Sequence, residues 1–155
     1  MITTQWFTGD KNLEDIHTIR RKVFIEEQNV TAEDEFDGTD AGAIHLLVRD
    51  GNQPIATGRI IIEDGVFYLG RIAVLKERRG QKYGEFVLRL LIRKAYELGG
   101  TEQRLHSQTH AIGFYEKFGF TVTSEEYMEA HIPHMNMVRY GDITGSCKYS
   151  HGLCP

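Results

Sequence analysis

The chain has 155 residues, eight of them Phe and seven Tyr, which is enough apolar material for one domain with its own core and too much for a disordered chain. Its 18 basic and 22 acidic side chains leave a net charge of −4, which argues against the broad basic surface of a nucleic-acid binder. No apolar run reaches the length of a membrane span and "MITTQWFTGD" lacks a basic-then-apolar leader pattern, so a cytoplasmic protein that binds neither nucleic acid nor membrane is expected.

Residues 2–7, "ITTQWF", alternate roughly and read as a short strand. Asp10 is placed to cap a helix, and Leu13, Ile16, Ile19, Val23 and Phe24 recur at helical spacing through about Glu27. Between residues 26 and 40 stand Glu26, Glu27, Glu33, Asp34, Glu35, Asp37 and Asp40, with no Lys or Arg among them; Gly38 and Gly42 mark the stretch as loop. "AIHLLVRD" and "QPIATGRIIIED" are two strands joined by a "DGNQ" hairpin, and "EDGV" turns tightly into a third, "FYLGRIAVL". After "RRGQKYG" (residues 78–84), Phe86, Val87, Leu90, Leu91, Ala95 and Leu98 form the apolar face of a helix that Gly99 and Gly100 end. "QRLHSQ" is a strand, "AIGFYEKF" a short helix stopped by Gly119, "FTVTSEEY" one further strand and "HMNMVRY", just past Pro133, the last.

The order β-α-βββ-α-β-α-ββ predicts an α+β (α/β) domain over residues 1–140, with a mixed central sheet of six to seven strands and helices on both faces. The period is lost in "GDITGSCKYSHGLCP", so residues 141–155 are expected to be a flexible tail. Cys147 and Cys154 both lie there and could pair with each other or hold a metal with His151. Three potential ligands in a short tail are a weak signal, and the expectation is a loose, reduced tail with no metal site.

"RRGQKYG" lies between a strand and a helix, so the helix opens with unpaired N–H groups and a partial positive charge. Gly80 and Gly84 permit a tight turn that brings those N–H groups against a ligand, and Arg78, Arg79 and Lys82 add full charge; a pyrophosphate is the natural partner. On the loop alone, a solvated basic turn is an equal reading, because neither the Walker ending nor the dinucleotide G-x-G-x-x-G is present. Tyr115 in "HSQTHAIGFYEKFGF" could act as a proton donor, although a Tyr is more often a packing residue with a satisfied hydroxyl.

Taken together, these motifs resemble the GNAT family of acyl-CoA-dependent N-acyltransferases. Its loop pattern, Arg or Gln followed by x-x-Gly-x-Gly/Ala, falls on Arg79, Lys82 and Gly84, and its later signature, A-x-x-F-Y-x-x-x-G-F, is met by Ala111, Phe114, Tyr115, Gly119 and Phe120. "IRRKVFIEEQNV", "EFDGTDAGAIHLLV", "LHSQTHAIGFYEKFGF" and "HIPHMNM" look like the ElaA-like branch, and the resemblance runs from about residue 11 to 140. It implies acetyl-CoA as co-substrate, transfer to a primary amine of a small molecule by direct attack, and Tyr115 as general acid toward the departing thiolate. It implies further that the backbone of Ile72, Ala73 and Val74 pairs with the pantetheine arm and that the N–H groups of residues 79–85, including Arg79, Gly80, Gln81, Lys82, Tyr83 and Gly84, hold the pyrophosphate. Phe114 would pack near the pantetheine, Lys117 would reach the phosphates, and Gln108 and His110 would line the channel.

Lys82 departs from the family's glycine. A helix-opening residue is expected to need no positive φ, so binding should survive with altered loop geometry. The fourth strand, "FYLGRIAV", carries no carboxylate for a base. Glu27, Glu35, Asp37, His45 and His134 are the candidates. His134 either serves as the base or fixes the turn before the last strand, with the turn favoured. Glu27, Asp37 and His45 would shape the acceptor site, where carboxylates suit a cationic amine; an equally good reading is a solvated acidic loop. Arg71 would recognise a substrate carboxylate or pair with that loop. Two other readings stand beside the enzyme: a non-catalytic acetyl-CoA sensor, and a relative of the autoinducer synthases, which the complete "FYEKFGF" signature disfavours. The oligomeric state stays open, a homodimer included.

Overall fold

The computed structural model describes residues 1–143; the predicted tail, with Cys147, His151 and Cys154, lies outside the described residues from position 144 on. Strands β1 (Ile2–Thr8), β2 (Ala43–Asp50), β3 (Gln53–Glu63) and β4 (Val66–Val74) pair antiparallel in chain order. β4 runs parallel to β5 (Glu102–Gln108), whose far side carries β8 (Ile132–Tyr140); β6 (Thr121–Val122) and β7 (Tyr127–Glu129) both pair with β8. Among the described residues the mixed sheet therefore has eight strands, against six to seven expected. The additional strand arises because "FTVTSEEY" is not one strand. Ser124 Oγ accepts the N–H of Asn136 at 2.9 Å where a backbone carbonyl would continue the ladder, which separates β6 from β7. β8 begins earlier than expected and includes Pro133, which lies beyond the last β5 pair, Gln108↔His134, so its missing N–H breaks no bond on that side.

Alternation along the strands divides the core between two faces. On one, α3 (Tyr83–Glu97) buries Phe86, Val87, Leu88, Leu91, Ile92 and Ala95 against Leu46, Val48 and Ile60. Leu98, assigned to that face from its spacing, is 48% exposed because the helix has already ended at Glu97. On the other face, Leu13, Ile16, Ile19 and Val23 cover Leu47, Ala73 and Leu75. Each fully buried aliphatic or Phe side chain contributes about 1.5–3 kcal/mol. Gly58 on β3 lets α3 approach closely: a Cβ there would stand 2.7 Å from Val87 Cγ1 and 2.9 Å from Leu91 Cδ1.

The first helix differs from the expected single α-helix. α1 (Glu14–Arg20) continues as a π-helical run, Arg21–Glu27. Asp10 does not cap it; the N-cap is Leu13 without a side-chain cap, and the acidic first turn, Glu14 and Asp15, faces the helix dipole instead. The wider π turns advance the side chains off α register, and both Phe24 and Gln28 line the cavity described below. The acidic stretch is partly ordered into α2 (Ala32–Glu35), capped by Thr31 Oγ1 accepting from Asp34 N–H, and a 3-10 turn, Thr39–Gly42. Among the described residues no helix is long and apolar enough to cross a membrane.

Candidate active site

The site originates in two irregularities of β4. Register between β3 and β4 slips from Thr57↔Ala73 to Arg59↔Gly70, leaving Gly58 opposite both Arg71 and Ile72. Such a bulge bends and twists the strand. Arg71 sits in the left-handed region at φ +47°, an uncommon conformation for a side chain of this size. β5 meets β4 only at Phe67↔Gln103 and Tyr68↔Arg104, so the strands part beyond that point. A cavity of about 730 Å³ occupies the opening, bounded by Leu69 to Ile72 of β4, Leu105, His106 and Gln108 of β5, the acidic loop, and Tyr115, Glu129 and His134.

Charge on the acidic loop is largely committed to three guanidinium groups. Arg20, only 1% exposed, donates from Nε to Glu35 Oε2 (2.6 Å), from Nη1 to both Asp40 oxygens (2.8 and 3.0 Å) and from Nη2 to the Glu35 carbonyl (3.0 Å). Arg59 donates to Asp40 Oδ1 and Thr39 Oγ1, and His17 Nε2 lies 3.0 Å from Asp40 Oδ2. Arg71 completes the set, 3.1 Å from Glu35 Oε2 and 3.6 Å from Asp37 Oδ2, with hydrogen bonds to the Asp34 and Glu35 carbonyls. Burial works against ionised Asp40, but the contacts from Arg20, Arg59 and His17 prevail and hold it well below the usual carboxylate range. At Glu35 burial prevails and raises the carboxyl, with Arg71 and Arg20 pulling the other way. For Asp37, the two Thr39 hydrogen bonds and Arg71 outweigh burial and lower it. The stretch is thus divided: Glu35 and Asp40 are buried and paired, whereas Glu33, Asp34 and Asp37 are exposed. Of the two roles open to Arg71, pairing with this loop is the one observed.

Two acceptor-site candidates fall elsewhere. Glu27 is outside the cavity lining and forms a bidentate pair with Arg79, 2.8 and 2.9 Å. His45 is fully buried behind the network, with Nε2 3.2 Å from the Asp40 carbonyl, and burial lowers its pKa. Asp37 and Arg71 do line the cavity.

The cradle is organised as a helix start should be. Gly80 turns with φ +79°, and the N–H groups of Gly80, Gln81, Tyr83 and Gly84 make no hydrogen bond to another described residue. Lys82 corrects an expectation: it is the residue before the helix, and it is left-handed, φ +68° and ψ 20°. The family's glycine falls at the position where the backbone demands that conformation, so the cost lies in φ rather than in a lost N–H. Gly84 has no positive φ, and its absent Cβ faces Phe114 Cζ at 3.7 Å, an ordinary contact. Arg79 is turned away from the cradle, its Nε on the Val74 carbonyl at 3.1 Å and its fork on Glu27, so that carbonyl is already occupied. Ile72 lines the cavity, whereas Ala73 is 2% exposed and pairs with Thr57. Lys117 is exposed at the end of α4 (Ile112–Glu116), outside the cavity lining.

Tyr115 projects from α4 into the cavity, and its ring lies edge-on to Phe114 at 5.1 Å. Burial pushes its phenol up to about 12, which keeps the proton on at neutral pH. Gln108 and His110 line the same space, and Gln108 Nε2 donates to Gln28 Oε1 at 2.8 Å. His134 is buried, with Nδ1 2.7 Å from the Ile132 carbonyl, and it also reaches the cavity. His106 and Glu129, which sequence reading passed over, face it there: Glu129 sits 3.0 Å from His106 Nδ1 and 3.6 Å from His134 Nε2. No periodic signal marks Glu129, since β7 is only three residues long, and His106 stands among the alternating residues of β5.

A splayed mixed sheet opening beside an N–H-lined helix start defines the acyl-CoA N-acyltransferase class of fold, and comparison with known proteins agrees. Residues 8–140 match the Acetyltransferase (GNAT) domain family. The uncharacterized N-acetyltransferase YjcF of Bacillus subtilis is 38% identical over 84% of this chain and 94% of its own. Protein ElaA of Escherichia coli is 32% identical over 78% of this chain and 82% of its own; its crystal structure superposes with TM-score 0.80, covering 90% and 99%. An acyl-CoA N-acyltransferase from Pseudomonas aeruginosa superposes with TM-score 0.78 at 26% identity, covering 88% and 99%. The chain belongs to the GNAT family, on its ElaA-like branch, and is an acyl-CoA-dependent acyltransferase.

Proposed function

We propose that the protein transfers an acetyl group from acetyl-CoA to a primary amine of a small molecule by direct attack, with Tyr115 as the general acid. The observation that carries this reading is the placement of a protonated phenol in the opening between β4 and β5, one ring contact from Phe114, which in turn packs on Gly84 of the cradle. In this reading the N–H groups of Gly80, Gln81, Tyr83 and Gly84 hold the pyrophosphate, the edge of β4 at Ile72 that β5 leaves open accepts the pantetheine arm, and Gln108 and His110 flank it. Arg79 supports the loop from behind by tying it to Glu27 and Val74. The amine enters past Asp37 and Arg71, and His134 is the candidate base.

Thiol release from acetyl-CoA, followed over polyamines, amino acids, aminoglycosides and peptides, tests the reading. Tyr115→Phe lowers kcat by about a hundredfold with the calorimetric affinity for acetyl-CoA nearly unchanged. Wild-type protein that binds acetyl-CoA yet releases no thiol with any amine would refute the proposed acceptor class. Equal turnover by Tyr115→Phe would remove the phenol from the mechanism.

A further inference from the structure

Direct attack requires a neutral amine, and β4 (VFYLGRIAV) supplies no carboxylate to deprotonate it. We infer that His134 Nε2 takes that proton, and that Glu129 is the positioning residue acting through His134, an assignment that rests on the acyl-transfer reading above.

Tautomer and orientation follow from the contacts. The Ile132 carbonyl, 2.7 Å from His134 Nδ1, can only accept, so Nδ1 carries the hydrogen and the lone pair of the neutral ring is on Nε2. That lone pair faces Glu129 Oε2 at 3.6 Å, too long for a hydrogen bond and with no hydrogen between two acceptors. A proton arriving on Nε2 turns the contact into a charge-assisted one, so the arrangement favours His134 as proton acceptor. The carboxylate is held from its other oxygen by His106 Nδ1 at 3.0 Å. Tyr127 stacks on His134 with centroids 6.2 Å apart and lies edge-on to His106, while its hydroxyl donates to Asn136 Oδ1. The titratable groups against His134 are therefore Glu129 and Tyr127 from β7; His106 of β5 touches both of these, and Arg71 of β4 acts on Glu129 across the cavity.

The step balances. The ammonium gives one proton to His134 Nε2; its nitrogen then bonds to the thioester carbon and the C–S bond breaks. The thiolate takes the Tyr115 proton, and the second nitrogen proton restores the phenol. One proton leaves His134 to water, and the products are amide and thiol.

The test uses the full chain and whichever amine of the panel turns over. In Glu129→Gln, loss of the facing charge moves the acid limb of the kcat/KM profile down by about one pH unit and lowers kcat by about tenfold. Glu129→Asp, which keeps the charge, restores the limb. In His134→Gln, the limb disappears and kcat falls about a hundredfold. Ring-nitrogen NMR of the free protein, which needs no turnover, should show the neutral His134 protonated on Nδ1. An unmoved acid limb in Glu129→Gln, alongside a Tyr115→Phe slowed about a hundredfold, would overturn the role of Glu129 and leave the acyl-transfer reading intact. Absence of turnover by the wild type would overturn both.

Discussion

Arg20→Met removes a guanidinium that is almost wholly buried and makes hydrogen bonds to Glu35 and Asp40 from all three of its nitrogens. Breaking one side of a buried ion pair costs about 3–5 kcal/mol, because the partner charge stays behind uncompensated. Here both partners keep other contacts: Glu35 retains Arg71 at 3.1 Å, and Asp40 retains Arg59 and His17, each at 3.0 Å. The methionine also refills most of the apolar volume, so the lower end applies, about 3 kcal/mol. For a chain of this size each kcal/mol moves Tm by about 2–4 °C, which predicts a fall of about 6–12 °C by calorimetry and a lower urea midpoint at unchanged m. Activity should suffer through KM for the amine more than through kcat, because the loop carrying Asp37 is anchored by this network and Tyr115 is not. Replacing Asp40 as well (Arg20→Met with Asp40→Asn) should not recover the loss, because Arg59, 6% exposed, then keeps no carboxylate partner among the described residues. A single-variant change under 1 kcal/mol would refute the reasoning, showing that the network is solvated or that the loop is held by something else.

Acid sensitivity follows from the same cluster. Asp40 is depressed below its ordinary value of about 3.8, so its stability is present above that value and is lost as pH falls below about 4. Asp37 acts in the same sense, and Glu35, being raised, in the opposite one. Asp40→Asn should flatten the acid limb of the unfolding free energy measured in urea. Gly58→Ala forces Val87 and Leu91 outward and should cost about 1–3 kcal/mol, read as a Tm lower by at least 2 °C. At position 82, the left-handed backbone predicts the Tm order Gly at or above Lys, and Lys above Val, because a β-branched residue fits that region worst. Equal values for Lys82→Val and wild type would show that the loop changes conformation to suit its residue.

The order of strands and helices was legible because it rests on local periodicity: alternation in "AIHLLVRD", helical spacing through Leu13 to Phe24, and Gly99-Gly100 at the end of α3. Less legible was anything that depends on a partner far along the chain. The break between β6 and β7 is made by Ser124 reaching Asn136, and the π-helical run Arg21–Glu27 carries the same residue spacing that an α-helix would. Lys82 was misjudged because a φ angle is set by how a loop must meet both its strand and its helix, not by the residue type standing there.

By itself, then, the sequence determined the family and marked the glycine-bearing loop before α3 and the Tyr115 segment, since each is a short contiguous motif. Only the tertiary structure decided what the charges do. Seven acidic residues between positions 26 and 40 read along the chain equally well as a site for a cationic amine or as a solvated loop. Folding brings Arg20, Arg59, Arg71 and Arg79 from four separate elements to neutralise Glu35, Asp40 and Glu27, and sets Glu129 beside His106 and His134 instead. Charge pairing acts through space over a few ångströms, and that distance is not written in residue spacing.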